Sequence, residues 1–341
     1  MKRIAVLGAG SWGTALALLL AKKGFPVHLW GRNSEKMAEM NIKRENLHYL
    51  PGVVLPSGIS TTADFEEALA GKKYVVLAVP SDKTRGLCQQ IKELISEDMV
   101  IINVAKGIEQ GTLKRLSEVI AEEFREIGPA ISVLSGPSHA EEVGRDIPTA
   151  VVVGSSSRQT AEEIQDLFMS PKFRVYTNPD LIGIEIGGAL KNVIALATGI
   201  ADGIGYGDNT KAALLTRGVR EIARVGVAAG ANPLTFAGLT GIGDLIVTCT
   251  SMHSRNRRAG IRLGKGETLT QVLKEIGMVV EGVTATKAGC ALSEKYQVAM
   301  PICQETYEVL FNNKEPREAV VDLMMRQKTH EVEEVAKQAD W

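Results

Sequence analysis

Ile4-Ala5-Val6-Leu7-Gly8-Ala9-Gly10-Ser11-Trp12-Gly13-Thr14-Ala15 is the stretch whose reading decides the fold. Four apolar residues make a buried strand, Gly8, Gly10 and Gly13 follow with the spacing G-x-G-x-x-G, and Thr14 to Ala21 continues as an apolar helix. Each glycine has its own task. Gly8 permits the tight turn, Gly10 lets the backbone approach a pyrophosphate, and Gly13 lets helix and strand pack closely. The N–H groups that open the helix then face the anion. Glycines at this spacing are weak evidence alone, since a plain αβ turn can be glycine-rich. Between a strand and a helix they predict a dinucleotide site.

The next strand, Val27-His28-Leu29-Trp30, leads to the place where an NAD-preferring site carries an acid for the ribose 2′-hydroxyl. Here that place reads Gly31-Arg32-Asn33-Ser34, and no acid appears before Glu35. Arg32 can meet a 2′-phosphate with its planar fork of donors, or it is a solvated arginine at a strand end. The first reading favours NADP, or at least accepts it beside NAD.

A chain of 341 residues suits two domains better than one core, and 45% apolar and 23% charged residues with 34 glycines describe a compact soluble α/β protein. A net charge of −1 gives no general attraction to nucleic acid or to an acidic membrane. Any anion binding is therefore local. Cys88, Cys249, Cys290 and Cys303 are widely spaced, with no C-x-x-C pair and no clustered histidines, so neither a metal site nor a disulfide scaffold is expected. They read as reduced thiols of a cytoplasmic protein. Lys2-Arg3 before an apolar run imitates a signal peptide, but cleavage after it would delete the glycine loop. Uninterrupted apolar runs such as Ala15 to Ala21 and Tyr74 to Val79 fall short of a membrane span, so none is expected.

Strand-like and helix-like runs alternate from residue 1 to about 180, which predicts a doubly wound, Rossmann-like parallel sheet with helices on both faces. Strands are expected at Tyr74–Val79, Val100–Val104, Ile131–Leu134, Ala150–Val153 and near Phe173–Tyr176. The loops that follow the early ones include Val79-Pro80-Ser81, Ala105-Lys106-Gly107 and Ser135-Gly136-Pro137-Ser138. In such sheets ligands lie at the carboxyl ends of the strands, so Lys106 and Ser138 point toward the site that Gly8 opens. After the turn Asn178-Pro179-Asp180 the texture becomes helical, with helices from about Ile182, from Thr210 to Ala229, Leu269 to Ile276 and Thr284 to Lys295. The division expected is a nucleotide-binding domain at 1–180 and an all-helical domain at 181–341. Arg326 to Trp341 is expected to be a solvated helix.

Lys191 stands in an apolar, glycine-lined helical stretch, Gly187-Gly188-Ala189-Leu190-Lys191-Asn192-Val193. Small neighbours favour a pocket, where desolvation and a second cation such as Lys106 lower the ammonium pKa toward neutrality. There it can protonate a carbonyl oxygen or take an alcohol proton, whereas on the surface it is an ordinary lysine. Residues Thr240 to Ser251 read poorly as helix or strand and lead into Ser254-Arg255-Asn256-Arg257-Arg258. Arg255 can hold a phosphate in two bonds with Ser254 and Asn256 beside it, or the cluster is a solvated face. Asp244 accepts a substrate hydroxyl, orients a lysine, or merely caps a helix.

Taken together, Gly8 to Ala15, Ala105-Lys106-Gly107, Leu134-Ser135-Gly136-Pro137-Ser138-His139-Ala140, Leu190-Lys191-Asn192, Gly241 to Leu245 and Ser254-Arg255-Asn256 match a pattern. From end to end the chain resembles the bacterial and archaeal NAD(P)-dependent glycerol-3-phosphate dehydrogenases. The resemblance implies reduction of dihydroxyacetone phosphate to sn-glycerol 3-phosphate, feeding glycerophospholipid synthesis. It implies that Lys191 is the proton donor and acceptor, and that Lys106 touches both substrate and cofactor. It places Gly136, Ser138, Asp244, Ser254, Arg255 and Asn256 around the substrate. It places Ser11, Trp12, Arg32, Tyr49, Ala140, Val279 and Glu281, with Arg255, at the nucleotide. A homodimer is compatible with the helical half. The competing readings are a related hydroxyacid dehydrogenase, separable by its substrate, and a nucleotide-sensing regulator, for which no basic DNA-binding helix pair is evident.

Overall fold

The computed structural model describes residues 3–328 and 330–332. Strands β1 (Ile4–Leu7), β2 (Val27–Trp30), β5 (Ile59–Thr62), β6 (Tyr74–Leu77), β7 (Val100–Asn103), β8 (Ala130–Ser135), β9 (Thr149–Ser155) and β10 (Phe173–Asn178) form one sheet. A small hairpin, β3 (Glu45–Asn46) with β4 (Leu50–Val54), stands apart from it. The sheet order is β10-β9-β8-β7-β6-β1-β2-β5. Because β1 lies between β2 and β6, the strand order reverses at its carboxyl end, where such sheets open a crevice.

Helices α1 (Ser11–Lys22), α2 (Ser34–Lys43), α3 (Phe65–Leu69), α4 (Thr84–Ile91), α5 (Leu116–Glu123), α6 (Ala140–Gly144) and α7 (Arg158–Phe168) accompany the sheet. Their apolar faces divide the core into two layers. Leu16, Leu20, Val6 and Val76 belong to one, and Leu7, Val75, Leu87 and Phe124 to the other. Two strand readings need correction. The sheet is not wholly parallel, since β8 and β9 run antiparallel. Residues 136–148 between them contain only the short α6, too little to cross the sheet and return in parallel. Strand β5, Ile-Ser-Thr-Thr, is too polar to read as a strand, yet it pairs with β2 at the sheet edge.

The chain then becomes helical: α8 (Leu181–Ile204), α9 (Asp208–Ala228), α10 (Asp244–Thr250), α11 (Arg255–Gly264), α12 (Leu269–Ile276), α13 (Glu281–Tyr296), α14 (Pro301–Phe311) and α15 (Pro316–Met324). Asp180 starts α8 by accepting from Gly183 N–H at 2.9 Å. By length and composition α8 is apolar enough to cross a membrane, which counting uninterrupted apolar runs overlooked. Most of its apolar stretch is buried inside the fold, where it is the core helix of the second half.

Helix α11 packs on α8 through glycines. A Cβ on Gly199 or Gly203 would fall 2.2 Å from the carbonyl oxygens of Arg257 or Ile261. One on Gly260 or Gly264 would fall 2.2 Å from those of Leu196 or Ile200. Main chain therefore meets main chain.

Residues Leu239–Gly243 form a π-helical turn that runs directly into α10, so the segment expected to be irregular is helical. Its glycines concealed the helix, because their low propensity says nothing of the packing that stabilises it. Residues 326–328 and 330–332 are not helical, and the rest of the expected terminal helix lies outside the described residues. Cys290 and Cys303, well separated in sequence, lie with their sulfurs 3.8 Å apart as free thiols.

Candidate active site

Gly8 ends β1 with φ +127°, and a Cβ there would fall 2.5 Å from the Ala78 carbonyl oxygen after β6. A Cβ on Gly13 would fall 1.9 Å from the Gly8 carbonyl oxygen, and nothing lies within 4 Å of one built on Gly10. Gly8 and Gly13 are thus demanded by backbone contact, while Gly10 leaves room for a ligand. Helix α1 starts at Ser11, three residues earlier than read, so Gly13 and Trp12 lie in its first turn. No side chain caps that end, which leaves its backbone donors for an anion. Buried Asn46 steadies the turn, donating to the Ala9 carbonyl at 3.0 Å and to Thr14 Oγ1 at 2.8 Å. A pyrophosphate fits this cradle.

Exposed Arg32 follows β2 and makes no ion pair among the described residues, while Asn33 beside it caps α2. Tyr49 is 38% exposed, with the Lys36 ammonium 5.4 Å from its ring centre. Both belong to the half of the chain that carries the glycine turn.

Lys106 follows β7, and Lys191 lies midway along α8, where 5% of it is exposed. Asp244, wholly buried at the start of α10, joins them. Lys191 Nζ donates to Asp244 Oδ1 at 2.6 Å, and Lys106 Nζ donates to Asp244 Oδ2 at 2.7 Å. Lys106 also donates to the Gly136 carbonyl at 2.8 Å, to which Ser138 Oγ donates at 2.9 Å. Close packing admits this arrangement: a Cβ on Gly188 would fall 2.9 Å from Ser135 Oγ and 3.6 Å from Lys106 Cγ.

Burial pushes the Lys191 ammonium down to about 8; Lys106 adds to that fall and Asp244 opposes it. Burial alone would raise the Asp244 carboxyl, but the two ammonium groups hold it below its ordinary value. The cluster is a carboxylate shared by two cations, one of which titrates near neutrality. Thr248, one helical turn beyond Asp244, accepts from Lys191 Nζ at 2.5 Å and donates to the Asp244 carbonyl at 2.6 Å. Reading Thr240 to Ser251 as irregular hid Thr248; a helical reading puts residues 244 and 248 on one face.

Ser254 caps α11 by accepting from Arg257 N–H at 3.2 Å. Arg255, the next residue, is largely buried, and burial lowers its guanidinium pKa, with Glu281 and Glu141 opposing the fall. A guanidinium remains charged after such a shift, so Arg255 and the helix end make a positive site at the start of α11.

Asn256 also has a bracing role. Its Nδ2 donates to Asn192 Oδ1 at 2.9 Å and its Oδ1 accepts from Gly282 N–H at 2.8 Å, so the side chain braces α8, α11 and α13. Ala140 starts α6 and is buried in the layer against which Trp12 packs. Half-exposed Val279 precedes α13, and Glu281 opens it with Oε2 2.8 Å from Ser81 Oγ. Ser81 and Asn192 were missed. Both stand in stretches the sequence singled out, Val79-Pro80-Ser81 and Leu190-Lys191-Asn192, but their roles depend on partners far along the chain. A cavity of about 590 Å³ lined by Arg115, Glu118, Asp180 and Asn232 contains none of these site residues.

Comparison with known proteins gives concordant results. Residues 3–161 match the model of the NAD-dependent glycerol-3-phosphate dehydrogenase N-terminus, and residues 180–321 match that of the C-terminus. The chain is 59% identical over 335 residues to glycerol-3-phosphate dehydrogenase [NAD(P)+] of Pelotomaculum thermopropionicum, covering 98% of this chain and 96% of that one. It is 58% identical to the protein of that name from Desulfitobacterium hafniense, over 98% and 95% of the two chains. The crystal structure of glycerol-3-phosphate dehydrogenase from Coxiella burnetii superposes with a TM-score of 0.92 at 39% identity, over 95% of this chain and 99% of that one.

Proposed function

From the premise that this chain belongs to the NAD-dependent glycerol-3-phosphate dehydrogenase family, we propose how its residues carry out that reaction. The enzyme interconverts dihydroxyacetone phosphate and sn-glycerol 3-phosphate with NAD(P). The observation that carries the residue assignment is the buried Lys106–Asp244–Lys191 cluster. When bound, the dinucleotide supplies or receives the hydride. Everything else is the work of this chain.

In the reading we favour, residues 1–180 hold the dinucleotide and residues 181–341 present the substrate. Gly8, Gly10, Ser11, Trp12 and Gly13 cradle the pyrophosphate, with Arg32 and Tyr49 toward the adenosine and Ala140, Val279 and Glu281 along the rest. Arg255, with the backbone donors that follow Ser254, takes the substrate phosphate. Lys106, held between Gly136 and Asp244, polarises the carbonyl, and Ser138 and Asn256 complete the pocket. Lys191 gives its proton to the carbonyl oxygen during reduction and takes it back during oxidation. A pKa near 8 suits both, because proton transfer is efficient when the group titrates near the working pH. The proposal includes a supply of product to glycerophospholipid synthesis, a cytoplasmic location and a homodimer.

Mixing the enzyme with NADPH or NADH and dihydroxyacetone phosphate is expected to oxidise the cofactor, which its absorbance reports. No oxidation, together with turnover of a 3-hydroxyacid, would reject the reading. Arg255→Ala is expected to raise the KM for dihydroxyacetone phosphate roughly 10- to 100-fold, the scale of a lost charge-assisted bond, and to change kcat less. An unchanged KM removes Arg255 from the phosphate. Arg32→Ala is expected to weaken NADPH binding roughly tenfold and leave NADH little changed. Equal effects on both would mean that Arg32 does not meet a 2′-phosphate.

A further inference from the structure

Glu281 is held by Ser81, a residue of the nucleotide-binding half. Ser81 begins the single 3₁₀ turn Ser81–Lys83 between β6 and α4, and its hydroxyl donates to Glu281 Oε2 at 2.8 Å. The Ser81 backbone also bonds the carboxylate, and burial raises the Glu281 carboxyl while these bonds and Arg255 pull it down. Ser81 itself is 9% exposed and is backed by the loop after β7, where a Cβ on Gly107 would fall 2.3 Å from Ser81 Cβ. It is therefore wedged between the residue that follows Lys106 and the first residue of α13. One residue on, Gly282 N–H is bound by Asn256, which Asn192 braces beside Lys191. The first turn of α13 is thus fastened to the nucleotide domain on one side and to the Lys191 helix on the other.

We propose that Ser81 is a positioning residue for the dinucleotide, acting through Glu281: its hydroxyl aims the carboxylate and latches the α13 turn onto the nucleotide domain. A carboxylate so held is an acceptor fixed for a hydroxyl or amide donor of the dinucleotide. Unaimed, it would have to give up rotamer freedom on binding. The proposal rests on the placement of Glu281 at the cofactor in the reading above.

The test titrates NADPH by its fluorescence into the wild type, Ser81→Ala, Glu281→Ala, Glu281→Gln and the Ser81→Ala/Glu281→Ala double variant, with thermal melts and steady-state kinetics on each. Ser81→Ala is expected to raise the NADPH dissociation constant and KM about fivefold to tenfold, with a smaller fall in kcat. Glu281→Ala is expected to lose more, and the double variant no more than Glu281→Ala alone, since Ser81 then has nothing to aim. Glu281→Gln keeps an oxygen for the Ser81 hydroxyl and is expected to lose less than Glu281→Ala.

Wild-type affinity in Ser81→Ala, even with a lowered melting temperature, overturns the proposal. So do losses that multiply in the double variant, or a loss in Glu281→Gln equal to that in Glu281→Ala. If Glu281→Ala binds NADPH as the wild type does, both the latch and the Glu281 assignment fall. Wild-type turnover of dihydroxyacetone phosphate checks the activity itself separately.

Discussion

Lys191→Ala is expected to lower kcat by about 10²- to 10⁴-fold, the range that a positioned general acid or base supplies, with NADPH affinity close to wild type. That loss corresponds to about 3 to 5 kcal/mol of transition-state stabilisation. Lys191 Nζ lies deep in α8 and its partners are Asp244 and Thr248, so its removal takes away a proton rather than a cofactor contact. The pH dependence follows from its pKa near 8. In the proposed role reduction needs the ammonium, so its rate is expected to hold below that pH and fall above it. Oxidation then needs the amine, so its rate is expected to rise through the same pH. Initial rates in both directions, with each substrate saturating, check this. A Lys191→Ala enzyme that turns over within a few-fold of wild type would remove Lys191 from proton transfer.

Asp244→Asn is expected to have the second large effect, and to act on stability as well as rate. The buried carboxylate neutralises two ammonium groups, and the isosteric amide leaves both without a counter-charge. Breaking a buried pair in this way costs about 3 to 5 kcal/mol, which urea unfolding monitored by fluorescence would register as a lower midpoint with an unchanged slope. The sign of the accompanying pH shift is fixed. Asp244 raises the Lys191 pKa, so its loss lowers that pKa further, and the fall in reduction rate moves to lower pH. Oxidation at low pH is correspondingly favoured, because the amine persists there. Wild-type stability together with an unmoved pH profile would show that the carboxylate does not hold the pair.

The nucleotide half was legible because its signals are local. A strand, a glycine turn and a helix stand side by side in sequence, and Gly8 and Gly13 are glycines that backbone contact demands. Lys191 was legible for a related reason, since a lysine among glycines and alanines in an apolar helix has little room to reach the surface. What escaped was decided at a distance. The antiparallel turn of β9 depends on how little chain separates it from β8, and polar β5 is a strand only because β2 offers an edge. Thr248 was hidden by glycines that look like a loop yet close a π-helical turn. The bonds of Asn256 to Asn192 and Gly282 join residues far apart in the chain and carry no local signal. Ser81 owes its place to a carboxylate far along the chain.

The glycine contact between α8 and α11 has a consequence for which substrates can be turned over. Lys191 is carried by the first helix and Arg255 by the second, and at Gly199, Gly203, Gly260 and Gly264 it is carbonyl oxygens and α-carbons that touch. Side chains can repack by changing rotamer, but main chains in contact have no such slack. With the roles proposed above for Lys191 and Arg255, the two helices measure length, the reacting oxygen read at one mark and the phosphate at the other. On that proposal a phosphorylated ketone one carbon longer between those groups is expected to need the helix backbones to part, so selection for chain length would be built into the interior of the domain rather than into the surface of its pocket.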